Sequence, residues 1–147
     1  MLNKKYLFIR TDRIGDFLLS AILIKSIKRS DKNSIITVIA SKKNYNYIKK
    51  FSFIDEVIEY PTGILDRFSL YLKFILKKYY MVAALDGKKR SIFLCTITNS
   101  KIKILCTYKK VYKSIFKFIF SQIYLDDENV SKIHEIKNIL NKLNYEL

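Results

Sequence analysis

Short apolar runs and longer amphipathic runs alternate along the chain. YLFIR (6–10) reads as a buried strand, and DFLLSAILIKSIKRS (16–30) as a helix with Phe17, Ala21, Ile24 and Ile27 or Lys28 at helical spacing. SIITVIAS (34–41) is β-branched and strand-like, KKNYNYIKKF (42–51) suits a short helix, and IDEVIEYP (54–61) is a strand closed by Pro61. ILDRFSLYLKFILKKYY (64–80) predicts a longer amphipathic helix, MVAALDG (81–87) a buried strand ending at Gly87, and RSIFLCTITNS (90–100) a helix. KIKILCTY (101–108) follows as a strand. Two helical segments, KKVYKSIFKFIFSQIY (109–124) and VSKIHEIKNILNKLNY (130–145), close the chain, with helix-start character in the intervening LDDEN (125–129).

Strand and helix thus alternate about five times, which predicts an α/β fold: a Rossmann-like, doubly wound parallel sheet with helices on both faces. A length of 147 residues and the lack of any low-complexity linker or tandem repeat predict a single domain over 1–147. Half of the residues are hydrophobic and 14% aromatic, which argues against disorder. No uninterrupted apolar segment approaches the roughly 18 residues of a spanning helix. The two cysteines, Cys95 and Cys106, lie in apolar segments and read as core, and a cytoplasmic location is expected.

Charge narrows the partners without fixing them. The formal net charge is +15, which favours nucleic acid, a phospholipid surface or a phosphorylated small molecule. The abundance of Lys, Ile, Asn and Tyr equally fits the coding bias of an AT-rich genome, so charge alone decides nothing. The segment 109–124, apolar but studded with Lys109, Lys110, Lys113 and Lys117, has two readings. It can lie on an anionic membrane surface, or pack on the sheet with its lysine heads in water. A nucleic-acid module would need a continuous lysine stripe with outward aromatics; the aromatics here fall mainly in apolar helical segments, which reads as core.

Candidate chemistry sits in two loops at the carboxyl edge of the expected sheet, where open parallel sheets bind ligands. In RTDRIGD (10–16), Gly15 is expected to allow a tight turn and Asp16 to stand at the start of the next helix. Asp16 reads either as an N-cap or as a carboxylate kept ionised by the helix dipole and free N–H groups. The turn has one glycine where a dinucleotide fingerprint needs three, and no P-loop G-K-[ST]. In LDGKKRS (85–91), Lys88, Lys89 and Arg90 crowd a helix start against its dipole, as an anion site or a solvated charge run. A sole histidine, His134, rules out a cluster of several His ligands, and it reads as a helix-surface or helix-packing residue rather than a catalytic one.

The stretch YLFIRTDRIGDFLLSAILIKSIKRSDKNSIITVIAS (6–41) resembles the N-terminus of glycosyltransferase family 9, the lipopolysaccharide heptosyltransferases. IDEVIEY, LDGKKRS and HEIKNILNKLNYEL are similar to later parts of the same half. The resemblance implies the N-terminal, acceptor-binding half of a two-domain GT-B enzyme that inverts the anomeric centre and requires no metal or other cofactor. It implies Asp16 as general base. The acceptor-contacting set would be Arg10, Thr11, Asp12, Arg13 and Gly15 in the first turn, and Asp86, Gly87, Lys88, Lys89 and Arg90 in the second loop. The partner would be an anionic lipid-linked saccharide at the inner face of the inner membrane. The ADP-activated sugar would bind a second domain for which the sequence has no counterpart, so a separate donor-binding chain, a non-catalytic polyanion-binding module and an inactive remnant are the expected alternatives.

Overall fold

The computed structural model describes residues 3–125 and 131–145. In chain order these form β1 (Lys5–Arg10), α1 (Ile14–Ser30), β2 (Ile35–Ala40), α2 (Lys42–Ile48), β3 (Glu56–Glu59) and α3 (Ile64–Leu76). There follow β4 (Lys78–Ala84), α4 (Lys89–Ile97), β5 (Asn99–Thr107), α5 (Lys110–Ile115), β6 (Gln122–Leu125) and α6 (Lys132–Lys142). The strands make one sheet in the order β3-β2-β1-β4-β5-β6, with every neighbouring pair parallel. The order reverses between β1 and β4, so the loops leaving these two strands emerge side by side.

Residue alternation sorts the core onto two faces. Tyr6, Phe8, Ile36, Val38, Met81, Ala83 and Ile104 face α1 and α6, where they meet Phe17, Ile24, Ile27, Ile136 and Ile139. Leu7, Ile9, Ile39, Val82, Ala84 and Leu105 face the other way, onto Leu70 and Phe74 of α3 and Ile92, Leu94 and Cys95 of α4. A strand buried on both faces needs near-continuous apolar sequence, which explains the unbroken runs of β1, β2 and β4. The fold is therefore the doubly wound α/β sheet expected from the sequence. Cys95 and Cys106 are buried free thiols, and His134 is exposed on α6.

Three boundaries differ from the sequence reading. The helix expected over 64–80 ends at Leu76, and Lys78–Tyr80 belong to β4. Tyr79 stacks on Phe74 on one face while Tyr80 meets Tyr6 on the other, a period of two that a helix cannot supply. The helix expected over 90–100 stops at Ile97, because Asn99 and Ser100 pair with Lys78 and Tyr79. The single helix expected over 109–124 is a six-residue α5 followed by a sixth strand, β6. Gln122–Leu125 pair with Ile104–Thr107 and satisfy the edge of β5, an advantage that local periodicity does not encode. The helix-start signal at 125–129 falls almost wholly in 126–130, outside the described residues; α6 itself is capped by Ser131, whose Oγ accepts from the Ile133 N–H.

Candidate functional site

The two loops singled out by sequence are joined at the switch point between β1 and β4. Leu85 N–H donates to the Ile9 carbonyl at 3.0 Å, carrying the pairing just past the strand ends. Beyond it, Asp86 takes over. Its Oδ2 accepts from Thr11 N–H (3.0 Å), Thr11 Oγ1 (2.7 Å) and Ser91 Oγ (2.9 Å), and its Oδ1 from Lys88 N–H (3.1 Å). Thr11 and Ser91 are buried, so these bonds are shielded from water. Asp86 thus clamps the first turn to the start of α4.

Thr11 is the other half of the clamp. Its hydroxyl donates to Asp86 and accepts from Arg90 Nη2 at 2.7 Å and Nε at 3.2 Å, while its carbonyl accepts from Lys88 Nζ at 3.1 Å. The Arg90 guanidinium also lies 4.8 Å over the Tyr60 ring, and the Tyr60 and Tyr71 hydroxyls share a 2.7 Å bond. Burial pushes the Tyr60 phenol up to about 12. Much of the hydrogen-bonding capacity of Lys88 and Arg90 is therefore directed at this chain's own backbone and Thr11. Lys89 is exposed and makes no hydrogen bond or ion pair among the described residues.

Gly87 follows Asp86 with φ +61°, a conformation that favours glycine, and an added Cβ would stand 3.2 Å from the Cys106 carbonyl oxygen, Thr107 Cα and Thr107 Oγ1. Gly15 has no such constraint. It is exposed, its φ is not positive, it lies inside α1, and a Cβ there would meet nothing within 4 Å. The tight-turn role expected for Gly15 is corrected accordingly. So is the N-cap reading of Asp16: the N-cap is Arg13, without a side-chain bond, and Asp16 sits three residues further in, in the first turn.

Asp16 is held from below by Arg10. The Arg10 side chain is nearly buried; Nη1 donates to the Leu85 carbonyl, Nε lies 2.9 Å from Asp12 Oδ1 as an ion pair without hydrogen-bond alignment, and Nη2 lies 3.6 Å from Asp16 Oδ1. Asp12 is pushed above the ordinary carboxylate range by burial, against the pull of Arg10. The Asp16 side chain is 43% exposed. Arg10 therefore ties the loop base together while Asp16 presents an oxygen at the rim. The Arg13 side chain is exposed nearby and has no hydrogen-bond or ion-pair partner among the described residues.

Two contributors escape sequence reasoning. Asn44 of α2 is buried and donates through Nδ2 to the Asp12 carbonyl at 2.6 Å, pinning the first turn from the β2 side. Lys132 and Glu135 of α6, ion-paired at 3.2 Å, join Arg10, Asp16 and Cys106 around a crevice of about 30 Å³ between α1 and α6. That space suits a water, not a sugar. Nothing local marks these positions, since each becomes relevant only when a distant element packs against α1. The arrangement can accept a proton at Asp16 from a hydroxyl resting above the rim, with Arg10 beside it and Lys132 lining the same crevice.

No protein-family model matches the sequence, and no curated protein matches it. Solved structures do. The glycosyl transferase family 9 structure from Veillonella parvula DSM 2008 aligns with a TM-score of 0.75 and 18% identity, over 99% of this chain and 43% of that one. E. coli heptosyltransferase WaaC with ADP aligns with a TM-score of 0.76 and 11% identity, over 97% of this chain and 48% of that one. The same enzyme with ADP-2-deoxy-2-fluoro heptose gives 0.76 and 11%, over 97% and 49%. The chain is similar in fold to family 9 glycosyltransferases, and it spans somewhat under half the length of these structures.

Proposed function

We propose that this chain is the acceptor-binding half of an inverting glycosyltransferase resembling the lipopolysaccharide heptosyltransferases, with Asp16 as general base. The observation that carries this reading is the placement of Asp16: a partly exposed carboxylate at the switch point, beside Arg10, in the turn that Asp86 clamps to the 88–90 loop through Thr11. A match to less than half of each family 9 structure agrees with an N-terminal portion.

In the proposed step an acceptor hydroxyl oxygen attacks the anomeric carbon of an ADP-activated sugar held by a donor domain. The glycosidic bond forms as the bond to the diphosphate breaks and ADP leaves with its electron pair. The hydroxyl acidifies as it attacks, so its proton passes late, to the Asp16 carboxylate. The acceptor is an anionic lipid-linked saccharide, met by Arg13 and Lys89, in lipopolysaccharide core assembly at the inner membrane face.

The test is transfer of labelled heptose from its ADP donor to a lipid A–Kdo-type acceptor, by the chain alone and with a candidate donor domain, each with Asp16→Ala. Activity requiring the added domain and falling about 10²–10⁴-fold in Asp16→Ala supports the proposal. Acceptor binding with no transfer in any mixture leaves a binding module or a remnant and removes Asp16 from catalysis.

A further inference from the structure

Apart from the loops, the molecule carries an uncovered apolar surface on the α3–α4–α5 side. Ile64 and Leu65 at the start of α3 are 81% and 85% exposed, and Phe118, just after α5, is 88% exposed. Phe93 of α4 bridges the two ends, touching Tyr71 of α3 edge-on at 5.2 Å and lining a groove with Ile92, Tyr112 and Phe116. That groove is open, about 320 Å³, and has Lys89 at its rim. Tyr71, Tyr112 and Phe116 are partly buried against the core, as expected of aromatics in apolar segments, whereas Phe93 and Phe118 are outward. Phe116 meets Tyr112 and the buried Phe120 edge-on, and Phe118 lies on the exposed side.

Asp66 stands beside Ile64 and Leu65 at the α3 end, but the α4–α5 part of the surface is rimmed by one sign of charge. No acidic residue occurs between Asp86 and Asp126, while Lys109, Lys110, Lys113 and Lys117 stand in and around α5. Lys117 Nζ lies 4.8 Å over the Phe118 ring, and Lys109 Nζ lies 5.3 Å over that of Tyr112. Val111 and Ile115, four residues apart on α5, are both exposed. Ammonium groups set beside outward rings form the pattern of a surface whose apolar tips enter the acyl boundary while its cations meet headgroups. No helix among the described residues is long and apolar enough to cross a membrane, so such a surface would rest on a bilayer.

We infer that this face docks on the surface of an anionic phospholipid bilayer, with Phe118, Val111 and Ile115 entering the acyl boundary and Lys109, Lys110, Lys113 and Lys117 contacting lipid phosphates. Charge selects this occupant. A second copy of the chain would oppose lysine to lysine across an isologous contact. A nucleic acid would take the lysines and leave Phe118, Val111 and Ile115 in water. The α4 start belongs both to this face and to the 88–90 loop, so docking would hold the candidate acceptor site close to the headgroups. The inference itself does not depend on the transfer chemistry.

The test is co-sedimentation of the full chain with vesicles of phosphatidylglycerol and phosphatidylcholine, and of phosphatidylcholine alone, neither carrying saccharide. Binding should require the anionic lipid and weaken with salt. Lys113→Gln with Lys117→Gln should weaken it by about 25-fold, at about fivefold per lysine near an anionic surface. Phe118→Ser should weaken it by about tenfold at unchanged charge. Phe118 is solvent-exposed, so its replacement leaves the fold intact, which circular dichroism checks. No binding to anionic vesicles overturns the inference. So does binding indifferent to Phe118→Ser, which would be charge adsorption alone, or a lysine-dependent affinity for oligonucleotide exceeding that for vesicles. Failure here leaves the heptose-transfer result unaffected, and the converse holds.

Discussion

Asp86→Ala is the sharpest test of how the site is built, because the sequence reading expects Asp86 to be an acceptor contact whereas its hydrogen bonds make it a clamp. The substitution removes four acceptor contacts, two to Thr11 and one each to Ser91 and the Lys88 N–H. The Ser91 hydroxyl can turn to another partner, and the Lys88 N–H lies at a half-buried helix start. The Thr11 N–H has no such freedom, because Thr11 is 3% exposed. A buried donor left without a partner costs about 1–3 kcal/mol, and bonds to an ionised acceptor are at the strong end of the range. Allowing for non-additivity, the loss should be about 3–5 kcal/mol, a large share of the total stability of a domain this size.

Urea unfolding followed by circular dichroism measures that loss, with a lower midpoint and an unchanged slope expected. Asp86→Asn, which keeps one carbonyl oxygen, should lose roughly half as much. A loss below about 1 kcal/mol in Asp86→Ala would refute the clamp. Should that stable variant also fail to bind acceptor, Asp86 would instead be a direct contact.

Other consequences follow from the same loops. Gly87→Ala should cost about 2–3 kcal/mol in the same unfolding assay, since a positive φ and a Cβ 3.2 Å from the β5 backbone act together; an unchanged midpoint would mean that this loop can relax. Gly15→Ala should raise stability by about 0.5–1 kcal/mol, because the position is helical and its Cβ meets nothing, and destabilisation would contradict the placement of Gly15 inside α1. Cys95 and Cys106 should resist thiol reagents at pH 8 in the folded protein and react on unfolding. Burial pushes Cys95 up to about 12 and Cys106 well above its ordinary range, leaving few thiolates to attack; native-state labelling at the rate of a free thiol would refute this.

The fold was legible where sequence periodicity and burial coincide. YLFIR, SIITVIAS and MVAALDG are buried on both faces, so their apolar runs announce central parallel strands. Legibility failed at the edge of the sheet. QIYL is half-buried and four residues long, and it is a strand only because β5 offers an open ladder. The same limit applies to the site. Asp16, Asp86 and the 88–90 cations were visible as unusual residues at loop positions, but their partners were not. Asn44, Lys132 and Glu135 lie on α2 and α6 and reach the first turn only through packing.

How the cations divide changes the reading of the site. From sequence, Arg10, Arg13, Lys88, Lys89 and Arg90 count as five positive charges facing a ligand. In the fold Arg10 is enclosed by the Leu85 carbonyl, Asp12 and Asp16, and Lys88 and Arg90 converge on Thr11. Of these five, only Arg13 and Lys89 have side chains without hydrogen-bond or ion-pair partners among the described residues. The inner cations hold two loops in one geometry before any ligand arrives. A base is useful only when its oxygen is already in place, because the cost of organising it is then met in folding and not at the transition state. Substitutions at Lys88 or Arg90 should therefore lower stability together with any acceptor affinity, whereas Arg13→Gln and Lys89→Gln should lower acceptor affinity alone.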